Sequence, residues 1–232
     1  MLRCCVSTLC AILAFASVLS AQELKGRKVA LVVGVNKYKD ARLGTLKCAE
    51  RDATDLRDLL LSKMGYDKRD VYLMTATEAL TVKNEDLLPR SDNIRANLKG
   101  LLEDLTKEDT AFVGFMGHGA HLFKGTKDEG LYFCPSDANL EEKKTLVSVV
   151  ELYSQLKEHC KAGLKVLVMD TCRAEPGTRA GSVTRPLLAK PEGGTVAFFS
   201  CSEGQVAHEN EKVGRGFFTD SLIRGLSGEA AD

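Results

Sequence analysis

At 232 residues, with basic and acidic side chains in equal number and no tryptophan, the chain is long enough for one α/β domain with a generous core. A net charge of zero argues against the basic footprint of a nucleic-acid binder and against an acidic tail. The low aromatic content also argues against a base-stacking platform.

Met1-Leu2-Arg3 is a short basic start, Cys4 to Leu19 is apolar apart from Ser and Thr, and Ser20-Ala21-Gln22 offers small residues for cleavage. Residues 1–22 therefore read as a secretory signal peptide. The apolar run is short and interrupted for a membrane span, so no stable membrane association is expected once it is removed, with an uncleaved anchor as the alternative. No lipobox surrounds the early cysteines. The protein is expected to be secreted or periplasmic, and nothing in the residues chooses between the two.

Of the eight cysteines, Cys4, Cys5 and Cys10 leave with that segment. Cys48, Cys134, Cys160, Cys172 and Cys201 remain, an odd count. None stands in a C-x-x-C pair, which argues against a redox motif or a zinc knuckle. Most read as small buried apolar residues, and no metal site is expected.

Strands and helices then alternate. Lys28 to Val35 is a continuous apolar strand. Thr45 to Met64 has helical spacing, with Leu46, Ala49, Ala53, Leu56, Leu59 and Leu60 on one side. Asp70 to Met74 reads as a strand. A helix starting at Ser91-Asp92-Asn93 carries Ile94, Leu98, Leu101, Leu102 and Leu105 as its stripe. Asp109 to Met116 is the next strand, and Glu129 to Cys134, with Gly125 before it, reads as part of a hairpin. Ser148 to Cys160 is a helix, Leu164 to Met169 a strand, Thr195 to Ser200 a strand and Gly216 to Leu226 a last helix. Pro176 to Gly194, rich in Gly, Pro, Thr and basic residues, reads as an exposed loop. Apolar strands separated by amphipathic helices imply a mostly parallel sheet covered on both faces. In such sheets ligands bind at the carboxyl ends of the strands.

Two strands end in reactive groups. Thr110 to Met116 runs into Gly117-His118-Gly119, and Lys165 to Met169 runs into Asp170-Thr171-Cys172-Arg173. Topology places both ends on one rim. A thiol ionised by a neighbouring imidazole is the minimum equipment for covalent attack on an amide. Glycines on both sides of His118 let the backbone approach a substrate. The amides of Gly119 and Cys172 are candidates to face the oxygen that becomes negative during acyl transfer. The competing reading is a buried cysteine and a loop histidine that never meet.

These residues resemble a caspase-fold cysteine peptidase of clan CD, family C14, closest to the bacterial caspase-like, metacaspase and paracaspase branch. The matching pieces are Val29-Ala30-Leu31-Val32-Val33-Gly34-Val35-Asn36-Lys37-Tyr38, Leu46-x-x-Ala49-x-x-Asp52-Ala53, Gly117-His118-Gly119 and Asp170-Thr171-Cys172-Arg173. Ser200-Cys201-Ser202 and Gly216-Phe217-Phe218-Thr219 follow them. The His precedes the Cys by a gap close to the roughly 50 residues typical of caspases. The resemblance implies a three-layer α/β/α sandwich over residues 27–232, with 176–194 as an intersubunit-type loop. It implies Cys172 as nucleophile and His118 as the base that then protonates the leaving amine. It also implies Asp52 and Asp170 in the pocket for the P1 side chain. Two carboxylates in one pocket favour Arg or Lys, and Arg pairs bidentately. Against that, Asp52 is also suited to cap or flank its helix and Asp170 to bond loop amides. Arg51 and Arg173 nearby leave an acidic P1 as the alternative preference.

The chain departs from the branch at Met116, where many metacaspases carry Ser, and it ends soon after the Phe-Thr helix, where similar proteins continue into another strand. Glu203, Gln205 and Glu209 resemble in character an acidic stretch of metacaspases. They read as a solvated loop, with a basic-substrate or calcium contact as the alternative. No cofactor is expected to be required, and calcium dependence stays open. His121 is a candidate to shape the rim beside His118, while His159 and His208 read as surface residues. Arg179, Arg185 and Lys190 in the exposed loop are candidate self-cleavage points. The expected function is an exported endopeptidase acting on peptides or proteins. The alternatives are a catalytically silent caspase-fold binding module, or another thiol hydrolase or acyltransferase. The oligomeric state is not legible.

Overall fold

The computed structural model describes residues 26–124, 127–171, 193–200, 209–210 and 214–229. The expected signal peptide, Cys172, Arg173, residues 176–192 of the expected loop, and residues 201–208 with Glu203, Gln205 and His208 lie outside the described residues.

The elements are β1 (Lys28–Gly34), α1 (Ala49–Ser62), β2 (Val71–Met74), α2 (Ala76–Val82), α3 (Ser91–Leu102), β3 (Thr110–Gly117), β4 (Gly119–Lys124), β5 (Lys127–Phe133), β6 (Val147–Ser148), α4 (Val149–Ser154), β7 (Leu164–Thr171), β8 (Thr195–Phe199), β9 (Glu209–Asn210), β10 (Arg215–Gly216) and α5 (Phe217–Arg224). The central sheet has five strands in the order β2-β1-β3-β7-β8. Every pairing in it is parallel.

The alternation of side chains along β1 explains why its sequence after Lys28 is apolar. Val29, Leu31 and Val33 face one core with Ile94 and Leu98 of α3 and Val149 and Leu152 of α4. Ala30 and Val32 face the other, with Ala53, Leu56 and Leu60 of α1 and Phe218 and Leu222 of α5. A strand buried on both faces has no side on which to place polar residues. The result is a three-layer α/β/α sandwich, as the strand and helix pattern indicates.

Two elements differ from their sequence expectation. The helix expected from Thr45 begins only at Ala49. The Leu46 N–H donates to the Asn36 carbonyl (2.9 Å) and Asn36 Oδ1 accepts from the Glu50 N–H (3.2 Å), which holds the preceding residues as a loop. The helix α2 was not expected. Its apolar residues Leu80 and Val82 are 76% and 49% exposed, so it shows no core-facing stripe to detect. Its start was nevertheless written in Thr75-x-x-Glu78: Thr75 Oγ1 accepts from the Glu78 N–H at 2.9 Å.

The expected hairpin is present as β4 and β5, joined by β6 into a small antiparallel sheet. Ala120, Cys134 and Leu146 bury against Leu43 and bind this sheet to the loop that follows β1. The expected helix over 148–160 is α4 continued by a π-helical turn, Gln155–His159. Among the described residues, no helix is long and apolar enough to cross a membrane.

Candidate active site

β3 and β7 are neighbours in the sheet. Their register pairs Met116 with Asp170 and Gly117 with Thr171, so the two strands end level. The next residue along one chain is His118, and along the other Cys172. Cys172 itself lies outside the described residues. Thr171 before it is 1% exposed, and its carbonyl accepts from Ser200 Oγ at 3.3 Å.

His118 stands just past β3 and is half-buried. Its Nε2–H donates to the Gly44 carbonyl at 2.8 Å. A carbonyl offers only lone pairs, so Nε2 carries the hydrogen and Nδ1 is the basic nitrogen of the neutral ring. The His118 N–H donates to Tyr38 Oη at 2.8 Å, and its carbonyl accepts from the Cys134 N–H at 2.9 Å. The rings of Tyr38 and His118 lie 4.9 Å apart at a tilt of 44°.

Gly117 must be glycine for this approach. Its φ is +154°, and a Cβ there would lie 2.8 Å from Tyr38 Oη and 3.2 Å from the Phe133 ring. Gly119, the candidate oxyanion donor, opens β4 opposite Phe133.

The loop that presents Gly44 is strapped to the segment before β6. Asp40 accepts from Arg42 Nε and Nη2 at 2.9 and 2.7 Å and from the Leu140 N–H at 3.1 Å, while Arg42 Nη1 reaches Glu141 at 2.6 Å. The bonds from Arg42, then that from Leu140, hold the Asp40 carboxyl well below the usual carboxylate range.

Asp52 and Asp170 converge although they are distant in sequence. Asp52 lies in the first turn of α1, where the helix dipole favours an anion, and is 3% exposed. Asp170 faces the same layer from β7 and is 9% exposed. Between them stands Gly216: a Cβ there would lie 3.0 Å from Oδ2 of each, so the two oxygens are at most twice that distance apart. The Gly216 N–H donates to Asp52 Oδ2 at 2.9 Å, and the buried Thr219 hydroxyl donates to Asp170 Oδ2 at 2.7 Å. The expected pair is thus brought together, with the Gly216 amide bonded to Asp52 and the Thr219 hydroxyl to Asp170. Met116, in register with Asp170, is 1% exposed and belongs to the α1-side core. Arg51 pairs with Asp55 at 3.6 Å, and Arg215 joins Asp55 (2.7 Å) to Asp220 (3.2 Å).

Tyr38, Gly44, Gly216 and Thr219 had no site role from sequence. Tyr38 and the Gly216–Thr219 run did lie inside recognised motifs. Their contacts join residues far apart in the chain, which local spacing cannot report. His121 is buried in β4 and His159 is exposed. Cys48, Cys134 and Cys160 are buried and stand in no disulfide, and burial pushes the Cys160 thiol up. Among the described residues, no group of three or more His, Cys, Asp or Glu is placed to hold a metal ion.

The chain has known relatives. Metacaspase-3 of Arabidopsis thaliana is 28% identical over 165 residues, covering 65% of this chain and 44% of that protein. The chain therefore spans less than half the length of that curated relative. A Geobacter sulfurreducens protein solved as a structural-genomics target superposes with a TM-score of 0.63 at 17% identity, covering 88% of this chain and 83% of that one. Caspase-1 from Spodoptera frugiperda superposes with a TM-score of 0.58 at 14% identity, covering 88% and 71%. At those identities the structures speak for the fold alone. A family model for the caspase domain matches residues 27–232, and the chain belongs to that family, the C14 peptidases.

Proposed function

We propose that this chain is an exported cysteine endopeptidase that cleaves after Arg or Lys, with Cys172 as nucleophile and His118 as base. The observation that carries the reading is the β3–β7 register, which ends both strands level, one residue short of His118 and of Cys172. Family membership supports protein or peptide substrates.

The ring geometry supports a defined proton route. With Nε2–H committed to the Gly44 carbonyl, Nδ1 takes the Cys172 proton. The thiolate sulfur adds to the scissile carbonyl carbon, and the carbonyl electron pair moves onto oxygen. The amides of Gly119 and Cys172 are the donors proposed for that oxyanion. The oxygen pair returns, the C–N bond breaks, and the leaving nitrogen takes the proton from Nδ1. Water then gives a proton to Nδ1 and its oxygen to the thioester carbon. The C–S bond breaks, and the sulfur regains its proton. Throughout, the Gly44 carbonyl stabilises the imidazolium, as an acceptor beside a cation does.

Asp52 and Asp170 supply the negative site for a P1 cation. Each has an Oδ2 anchored by the segment Gly216–Thr219, which orients both carboxyl groups. Arg179, Arg185 and Lys190 are the proposed self-cleavage points, on the strength of their basic character in the loop sequence.

A fluorogenic panel with P1 Arg, Lys, Asp and Leu, run with and without calcium, tests the reading. Turnover of Arg and Lys peptides is expected. No turnover of any peptide, with Cys172 inert to iodoacetamide, would instead favour a silent binding module. Turnover only after Asp would remove the basic pocket. Intact masses of wild type and Cys172→Ala after incubation test self-cleavage: identical masses in both would count against it.

A further inference from the structure

We propose that Tyr38 is a positioning residue that holds His118 in the ring orientation and tautomer used by the proposed chemistry. The inference rests on His118 being the base.

The phenol is engaged twice. Its Oη donates to the Val35 carbonyl at 2.8 Å and accepts from the His118 N–H at 2.8 Å. A phenol has one hydrogen, so the direction of both bonds is settled. Val35 stands just past the end of β1, with its own N–H on the Met116 carbonyl at 3.0 Å. The hydroxyl therefore ties the end of β1 to the end of β3 at the residue where the sheet ladder gives out and His118 begins.

Two further observations converge on the same group. The Tyr38 ring packs 4.9 Å from the imidazole. Gly117 leaves open the space that a Cβ would fill 2.8 Å from the phenol oxygen. Tyr38 and Gly44 also belong to one loop, the one fastened by Asp40, Arg42 and Leu140. A single strapped loop thus grips the His118 backbone through a phenol and its ring through a carbonyl. Removing the hydroxyl leaves the His118 N–H without this acceptor and frees the backbone that aims the ring.

The test is Tyr38→Phe, which keeps the ring and deletes only the hydroxyl. With a P1-Arg peptide, kcat is expected to fall by about tenfold, the loss of roughly one hydrogen bond's worth of positioning, with KM little changed. Independently of turnover, ¹⁵N-histidine NMR of the Cys172→Ala protein is expected to show one His118 tautomer, protonated at Nε2. Adding Tyr38→Phe to that protein is expected to give a mixture. Wild-type kcat in Tyr38→Phe overturns the inference, and so does a lower kcat with the single tautomer retained. A wild type that cleaves no peptide sinks the proposed function instead, and the NMR comparison still reads the role of Tyr38.

Discussion

His118 Nε2 and the carbonyl oxygen of Gly44 lie 2.8 Å apart, and that contact decides which nitrogen of the ring is basic. The carbonyl comes from the loop after β1 and the imidazole from the end of β3, residues 74 apart in the chain. The bond leaves Nδ1 for the proposed nucleophile and gives the imidazolium an acceptor when it forms.

Asp52 and Asp170 give the most specific prediction about substrates. Asp52→Asn or Asp170→Asn removes one negative charge while keeping the shape of the side chain. A hydrogen bond to a charged group contributes about 1.5–3 kcal/mol, so kcat/KM for a P1-Arg peptide is expected to drop about tenfold to a hundredfold. The decrease should appear mainly in KM, and a P1-Leu peptide should change little. Equal losses on Arg and Leu peptides would mean that the pair acts on folding and not on P1.

Thr219 offers a stability test of the same site. It is fully buried, and its hydroxyl is 2.7 Å from Asp170 Oδ2. Thr219→Val keeps the volume and removes the donor, leaving a buried carboxylate oxygen without it. Unfolding free energy from urea titration is expected to fall by about 1.5–3 kcal/mol, and Thr219→Ser should recover much of it. A Val variant as stable as wild type would show that the bond contributes nothing net.

Asp40 predicts a pH dependence. Its carboxyl is held well below its ordinary 3.8, first by the Arg42 side chain and then by the Leu140 amide. As pH falls below about 4, the unfolded chain takes up a proton at this site while the folded chain resists it. The unfolded state then binds more protons, so acid favours unfolding. The Asp40 contribution is whole above about pH 5 and erodes below about pH 4. The gap in urea midpoint between wild type and Asp40→Asn should be constant near neutrality and narrow in acid. A gap that widens in acid would reverse the assignment.

Much of this arrangement was legible in the chain. Val29 to Val33, and Ala111 to Met116 apart from Gly114, are apolar without interruption because both faces of the sheet are covered, so strand type and sheet class could be read directly. Gly117-His118-Gly119 and Asp170-Thr171-Cys172 were legible because each follows such an apolar run in the sequence. Tyr38 and Gly44 were not, because their roles depend on how one loop folds back over β3, and no periodicity records that. Gly216 and Thr219 were likewise hidden: their partners lie 164 and 49 residues away in sequence. The start of α1 is hidden in the sequence because Leu46 continues the helical stripe while its N–H is spent on Asn36.

The most direct test of the Cys172–His118 proposal is covalent capture with a peptidyl-arginine chloromethyl ketone, mapped by mass spectrometry. The expected result is a single adduct on the peptide containing Cys172, formed about 10²–10⁴ times more slowly in His118→Ala and blocked by a P1-Arg peptide. The buried thiols of Cys48, Cys134 and Cys160 should stay unmodified in the folded protein. An unmodified Cys172, or labelling at the same rate without His118, would contradict the proposed dyad.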